Sequence, residues 1–357
     1  MKLRWGIAGL GRGRSMIKSL SEAAGCEVVA VCDANPRTLA QYDGLQTYTD
    51  YEQFIEQADV DVVGVITPGP EHAEQSILAL EAGRHVLSET PCVYSIDEAR
   101  AVVDAVRKSG CKYMLAEDYI WMGWCQNLKQ IAETGKLGEI VFAEAEYTHD
   151  CRGGMLVDSE GQRHHTSKWG SRDDLRPTWR ATDLPPLFYC SHSLGPLLYL
   201  MEDRCTVATG LHTGARVAPE VCTVDMESGL LQTEAGRAIR LTSGFCIAHP
   251  FSLFVGLYGT RGSIRMVNLG QLQVKAWFEE DAQSDDWWDL PMEYHGRADG
   301  RPWVSVMLEE FAVSIVNDTE PPVDVYRSME YTLPGVCAHM SAEQGGLPVQ
   351  VPDLRQK

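Results

Sequence analysis

The chain has 357 residues, 44% of them apolar and 23% charged, and a formal net charge of −19 at pH 7. These are the fractions of an ordinary globular protein, the length predicts two domains, and no run of about 18 apolar residues is present to span a bilayer. The acidity repels phosphate backbones, which argues against nucleic acid as a partner, and is the kind that keeps a cytosolic protein in solution.

The eleven cysteines are scattered, odd in number and contain no CxxC pair, the pattern of free thiols in a reducing compartment. Met1-Lys2-Leu3-Arg4-Trp5-Gly6-Ile7 enters an apolar strand pattern at once, leaving no room for a leader peptide. A cytoplasmic location is expected.

From residue 3 to about 120, short β-type runs (3–8, 27–32, 60–66, 85–87, 112–115) alternate with helical stretches, which predicts a doubly wound parallel sheet. Thr49 with Glu52, and Ser95 with Glu98, are spaced as capping boxes, and Gly110 is placed as the residue that ends a helix. Pro70 suits the first turn of a helix that stops at Gly83. The first run leads into Gly9-Leu10-Gly11-Arg12-Gly13-Arg14. Glycines in such a turn let backbone N–H groups approach a pyrophosphate at the following helix N-terminus. Arg14 stands where the motif has Gly or Ala. Asp33 ends the second run 22 residues beyond Gly11 (33 − 11), the place for a carboxylate that binds the adenosine ribose and favours NAD. Two alternatives stay open: Asp33 as the cap of a helix before Asn35-Pro36, and Arg37 as partner of an NADP 2′-phosphate.

Beyond residue 121, β-type runs at 141–147, 223–226, 230–233, 239–243, 251–258 and 263–267, with helices near 122–134, 192–201 and 303–316, predict an α+β domain built on an open, mostly antiparallel sheet. The expected domains are 1–120, binding NAD, and 121–357, binding substrate. A helix near 326–343 is expected to pack back on the first domain. Residues 150–187, rich in Gly, Arg, Asp and Trp, read as a long functional loop. Its Trp169, Trp179 and Arg180 suit stacking on a sugar. His164 and His165, even with Cys190 or His192, lack zinc-site spacing, so no metal is expected. Trp287 and Trp288 suit a pocket or a subunit contact equally.

Thr67-Pro68-Gly69-Pro70-Glu71-His72, and Ala79 through Pro91 (ALEAGRHVLSETP), together with the glycine turn, resemble the Gfo/Idh/MocA oxidoreductase superfamily, with its TPNxxH and AL-x-x-GKHVxxEKP segments. The resemblance implies that Gly9, Gly11, Arg12, Gly13, Asp33, Thr67, Pro68, His72, Glu89 and Pro91 serve the cofactor. Tyr258-Gly259-Thr260-Arg261-Gly262-Ser263-Ile264 looks like the superfamily's GTxG turn. The superfamily also implies a homo-oligomer, dimer or tetramer.

Simple sugar dehydrogenases of the superfamily carry Lys in the EKP triplet as their proton-exchanging group. Here Thr90 takes its place and cannot supply an ammonium. Ser88-Glu89-Thr90-Pro91-Cys92-Val93-Tyr94 is instead similar to the SEVPAAY stretch of the NAD-dependent glycosidases of glycoside hydrolase family 109, which are α-N-acetylgalactosaminidase-like. Tyr113 through Asp118 (YMLAED), Glu146 through Arg152 (EYTHDCR) and Tyr189 through Pro196 (YCSHSLGP) resemble that family's MMLEN, AYIHDLR and YPTHGLGP. This resemblance implies His192, Tyr147, Glu117 and His149 as catalytic residues and Arg152 as a substrate ligand. Read on their own, His192 is equally a structural hydrogen-bonder, Tyr147 a packing residue and Glu117 a helix cap. Three functions fit: an NAD-dependent glycosidase, a sugar or polyol dehydrogenase, and a non-enzymatic NAD-binding sensor.

Overall fold

The computed structural model describes residues 2–268, 273–282, 284–290 and 299–356. The chain divides into two compact units, Met1–Trp121 with Gly296–Met329 and Leu354–Lys357, and Met122–His295 with Glu330–Asp353.

The first unit holds a six-stranded parallel sheet: β1 (Leu3–Ala8), β2 (Cys26–Cys32), β3 (Gln46–Tyr48), β4 (Val62–Val65), β5 (His85–Ser88) and β6 (Tyr113–Leu115), in the order β3-β2-β1-β4-β5-β6. Its helices are α1 (Leu10–Glu22), α2 (Pro36–Leu39), α3 (Tyr51–Gln57), α4 (His72–Glu81) and α5 (Ile96–Ser109). All four residues of β4 and the last four of β1 are buried, as strands covered on both faces require. The strand order reverses between β1 and β4, and in such sheets ligands bind outside the carboxyl ends at that point.

Local chemistry sets the helix ends. Ser95 Oγ accepts from Glu98 N at 3.1 Å, and Gly110 closes α5 at φ +69°. The expected Thr49–Glu52 box does not form. Asp50, one residue later, caps α3 by accepting from Gln53 N at 2.9 Å. Asp33 is not the cap of α2 either, since Asn35 Oδ1 accepts from Arg37 N at 3.0 Å. β3 escaped sequence reading because it is a three-residue edge strand with no buried residue.

The second unit is built on a nine-stranded sheet. Its strands are β7 (Ile140–Thr148), β11 (Cys205–His212), β12 (Met226–Thr233), β13 (Ala238–Gly244), β14 (Ser252–Gly259), β15 (Gly262–Asn268), β16 (Gln273–Phe278), β17 (Trp288–Asp289) and β18 (Val349–Gln350). The short β8 (Leu156–Val157), β9 (Arg163–His164) and β10 (Arg176–Pro177) form a separate three-stranded sheet, so the expected loop at 150–187 is in fact folded. In the large sheet β7 pairs parallel with β13, and the other recorded pairings are antiparallel. Sequence reading split β12 in two around Gly229 and placed its start three residues early. Helices α6 (Gly123–Glu133), α7 (Trp179–Thr182) and α8 (Ser191–Met201) complete this part. In α8 every residue but Tyr199 is buried, as expected of a helix apolar nearly all round, and it packs on β7 and β14.

Two later helices are α9 (Trp303–Val316) and α10 (Val325–Glu343). α9 lies against α1, with Phe311 edge-on to Trp5 at 6.0 Å and Ser305 Oγ donating to Ser19 O at 3.2 Å. Trp121 Nε1 donates to Glu310 Oε2 at 2.8 Å. In α10, Gly335 approaches the backbone at 187–190 so closely that an added Cβ would lie 2.0 Å from Leu187 O and 2.5 Å from Cys190 Sγ. All eleven cysteines are free thiols, and no helix among the described residues is long and apolar enough to cross a membrane.

Replacing Gly with Ala inside a helix ordinarily gains about 1 kcal/mol, whereas forcing atoms into a packed contact costs about 1–3 kcal/mol. At Gly335 the contact is with backbone, so Gly335→Ala is expected to destabilise. Denaturant unfolding checks this, and a midpoint at or above wild type would contradict it. His85 generates a pH prediction. Its Nδ1 accepts from Lys112 N at 2.9 Å, and burial holds its pKa below the ordinary 6.5. As pH falls below 6.5 the unfolded chain takes up the proton before the folded one, so stability present above that pH drains away down to the folded pKa. His85→Asn should flatten this part of a stability-against-pH curve, and an unchanged slope would speak against the assignment.

Candidate active site

The residues expected to serve a cofactor gather at the carboxyl edge of the first unit's sheet. Gly9 leaves β1 at φ +86°, and a Cβ there would lie 2.3 Å from Ile66 O and 2.6 Å from Thr67 N. Only glycine lets the β1 turn pass over the end of β4. α1 begins at Leu10 with no acidic residue in its first turn, and beyond the Leu10 N–H, which Asp33 takes, the next backbone N–H groups of that turn are left for an anion. A Cβ on Gly11 would meet nothing within 4 Å, which leaves room beside those amides, whereas Gly13 packs on Ile7. Asp33 Oδ2 accepts from Leu10 N at 2.8 Å and Oδ1 from Asn35 N at 2.9 Å. Each carboxylate oxygen keeps a second lone pair for a ribose hydroxyl. This donor set fits the diphosphate and ribose of NAD.

Farther along the edge, Thr67 Oγ1 donates to Gln75 Oε1 at 2.8 Å. His72 is buried and bridges Thr67 O and Pro91 O, one ring nitrogen 2.8 Å from each, so it ties the segment containing Pro68 to the one after β5. Glu89 directly follows β5 and pairs with Arg12 at 3.4 Å. Thr90 is buried, and its Oγ1 has no hydrogen-bond partner. Glu117 follows β6 and is fully buried, and its Oε1 accepts from Tyr119 N at 3.3 Å.

In the second unit a ring cluster forms where β7 meets α8. Pleating puts Ala143, Ala145 and Tyr147 on one buried face. The Tyr147 ring lies 5.6 Å from the His192 ring, and Tyr189 lies 4.9 Å from His192. Phe245 and Phe251 stand edge-on to Tyr147 at 6.1 and 5.7 Å. His149 meets Phe251 at 5.5 Å. Tyr147 and His192 are buried, while Phe251 is 46% exposed, so the cluster opens toward solvent through Phe251. Cys151 Sγ lies 3.2 Å from His149 Nδ1, and burial pushes its thiol up to about 11, so it stays protonated at neutral pH. Such a cluster offers a phenol and an imidazole to a ligand whose C–H faces pack on aromatic rings.

Arg152 is held by Asp150 through two contacts at 2.9 and 2.7 Å, and this pairing lowers the Asp150 pKa. Arg180 lies over the Trp179 ring at 4.6 Å, and Trp169 is 36% exposed on the folded loop. His164 pairs with Asp158 at 2.8 Å, His165 with Ser167 at 2.9 Å, and Cys190 with Tyr331 O at 3.3 Å, so these three have separate partners. Trp287 lies over Arg265 at 5.4 Å. Sequence reasoning missed Phe245 and Phe251, which sit in strand-flanking turns without a motif, and passed over Tyr189 although it stands in the segment that carries His192.

Residues 3–117 match the Gfo/Idh/MocA model, described as an oxidoreductase family with an NAD-binding Rossmann fold. A glycosyl hydrolase family 109 protein of Streptomyces niveus is 28% identical over 99% of this chain and 77% of its own length. The alpha-N-acetylgalactosaminidase of Bacteroides fragilis is 23% identical over 99% of this chain and 92% of its own. Among solved structures, levoglucosan dehydrogenase in complex with NADH and L-sorbose superposes with a TM-score of 0.81 at 19% identity, over 99% of this chain and 100% of its own. Residues 3–117 are thus similar to the NAD-binding Rossmann domain of the Gfo/Idh/MocA oxidoreductases, the chain is an NAD-dependent enzyme, and along its length it is similar to glycosyl hydrolases of family 109.

Proposed function

We propose that this enzyme is an NAD-dependent glycosidase that cleaves a glycoside by transient oxidation, elimination, water addition and re-reduction. The observation that carries this reading is the buried Tyr147–His192 pair, found in a chain where Thr90 replaces the lysine of the simple dehydrogenases. The names of the full-length relatives support it. When bound, NAD supplies a hydride acceptor that later returns the hydride, so the net change is hydrolysis.

The chain's own residues must then manage protons: at the hydroxyl that becomes a ketone, at the carbon whose C–H that ketone acidifies, and at the leaving oxygen. Tyr147 and His192 are the proposed pair for these transfers, because a phenol and an imidazole at ring-contact distance can pass protons to one bound sugar. Glu117 and His149 are the further titratable candidates. Arg152, held by Asp150, and Trp179 with its stacked Arg180 are proposed to bind the sugar or its aglycone. Trp169 offers an exposed ring for the same purpose. Glu89 and Arg12 are proposed to hold the nicotinamide half of NAD, and Asp33 its adenosine ribose. The second reading is an NAD-dependent sugar dehydrogenase, favoured by the fold likeness to levoglucosan dehydrogenase.

A panel of nitrophenyl α- and β-glycosides, with aglycone and NADH followed together, separates the two. Aglycone release without stoichiometric NADH is expected, and His192→Ala and Tyr147→Phe should each lower it by about 10²–10⁴-fold. NADH accumulating on free sugars with no aglycone would overturn the glycosidase in favour of the dehydrogenase, while NAD binding with neither product would point to a sensor. Separately, Gly9→Ala should abolish NAD binding in calorimetric titration and cost about 1–3 kcal/mol of stability from its backbone conformation alone. A variant binding NAD as wild type would refute the placement of the diphosphate.

A further inference from the structure

Beside the ring cluster, three sulfurs meet in the second unit. Cys222 Sγ lies 3.1 Å from Cys246 Sγ and 3.2 Å from Met155 Sδ, and all three residues are buried. Topology explains the first contact. Cys222 comes just before β12 and Cys246 just after β13, and these strands form an antiparallel hairpin whose register opens with Met226 opposite Gly244. The pairing continues beyond the strands, with Phe245 N donating to Asp225 O at 3.2 Å and Cys246 N to the same oxygen at 3.5 Å. The two cysteines therefore face each other across the open end of the hairpin. The contact between the two sulfurs draws the Cys222 thiol below its ordinary range and pushes that of Cys246 up. Asp225 is buried beside both sulfurs, and its Oδ1 has no hydrogen-bond partner, so a base stands next to the pair.

We propose that Cys222 and Cys246 are a redox site, a dithiol that hydroperoxides oxidise to an intrachain disulfide and that small dithiols reduce again. In the first step the Cys222 thiolate attacks one peroxide oxygen and the O–O bond breaks. Cys222 becomes a sulfenic acid, and the departing hydroxide takes a proton to become water. Cys246 then gives its proton to Asp225 and attacks the Cys222 sulfur. The S–O bond breaks as the S–S bond forms, and the hydroxide leaves as a second water with that proton. Two thiols and hydrogen peroxide thus yield one disulfide and two waters, and a dithiol reductant returns the two electrons by exchange. The sulfurs need close only from 3.1 Å to about 2.05 Å. Met155 is a thioether and can only take up oxygen.

The site has a path to the ring cluster. Phe245 directly precedes Cys246 and packs on Tyr147 and Tyr189, while Met155 lies on the folded loop that contains Arg152 and Trp179. Closing the disulfide pulls on both. The proposal concerns thiol chemistry and stands apart from the identity of the reaction.

The test treats the reduced full-length protein with hydrogen peroxide, alkylates it under denaturing conditions and maps its peptides by mass spectrometry. The expected product joins the peptides of Cys222 and Cys246, lighter by two hydrogens and undone by dithiothreitol, with the other nine cysteines alkylated. In Cys246→Ser, which removes the resolving thiol, dimedone should trap a sulfenic acid on Cys222. Oxygen added to Met155 or to either cysteine without the cross-link, or a disulfide that pairs either one elsewhere, would overturn the proposal. The wild-type result decides even if a serine variant folds poorly.

Discussion

Many of the candidate site residues leave the carboxyl ends of parallel strands. Parallel neighbours require a crossover, so their carboxyl ends come to one edge and the segments leaving them are released there together. In the first unit this brings Gly9, Asp33, Thr67, Glu89 and Glu117 to one edge from β1, β2, β4, β5 and β6. In the second unit the same constraint acts through β7 and β13, which run in register to Thr148 and Gly244. Beyond them His149 N donates to Gly244 O at 2.8 Å and Cys151 N to Phe245 O at 2.9 Å. That continuation holds Tyr147, His149 and Phe245 within one turn of chain.

Close backbone contacts make these edges rigid. Gly9 crosses the end of β4 at a distance no side chain tolerates, and Gly335 does the same against the segment before α8. The second contact supports the site, because residues 187–190 lead directly into His192. Glu227, buried in β12, adds to it by accepting from Leu187 N at 2.8 Å while His339 from α10 holds its other oxygen at 2.6 Å. Tyr189 and His192 are thereby positioned from two sides by groups that never meet the ring cluster.

Much of this was legible in the sequence because it depends on local rules. The glycine turn, Asp33, the Ser95 cap and the Gly110 stop each need only a few neighbouring residues to explain them. In the second unit's large sheet β7 and β12 to β15 were legible too, but β11, β16, β17 and β18 were missed and β12 was split where Gly229 interrupts its apolar pattern. The ring cluster was half legible. Tyr147 and His192 stand in motifs, whereas Phe245 and Phe251 reach Tyr147 only because β13 and β14 flank β7, a pairing that no local pattern encodes. The sulfur contact was hidden for the same reason, since Cys222 and Cys246 are brought together by hairpin register.

The substitution at position 90 then has a physical meaning. A lysine at this point would offer an ammonium at the sheet's carboxyl edge, whereas Thr90 is buried with an unpartnered hydroxyl that neither gains nor loses a proton near neutrality. On the proposed reading proton transfer falls to other groups, and the second unit concentrates a phenol and an imidazole among rings. In that setting a low local dielectric would strengthen each hydrogen bond that the Tyr147 hydroxyl and the His192 ring made to a ligand bound there. Two such groups allow more than one proton transfer in a turnover, which the proposed sequence of oxidation, elimination, hydration and re-reduction would require and a simple dehydrogenation would not.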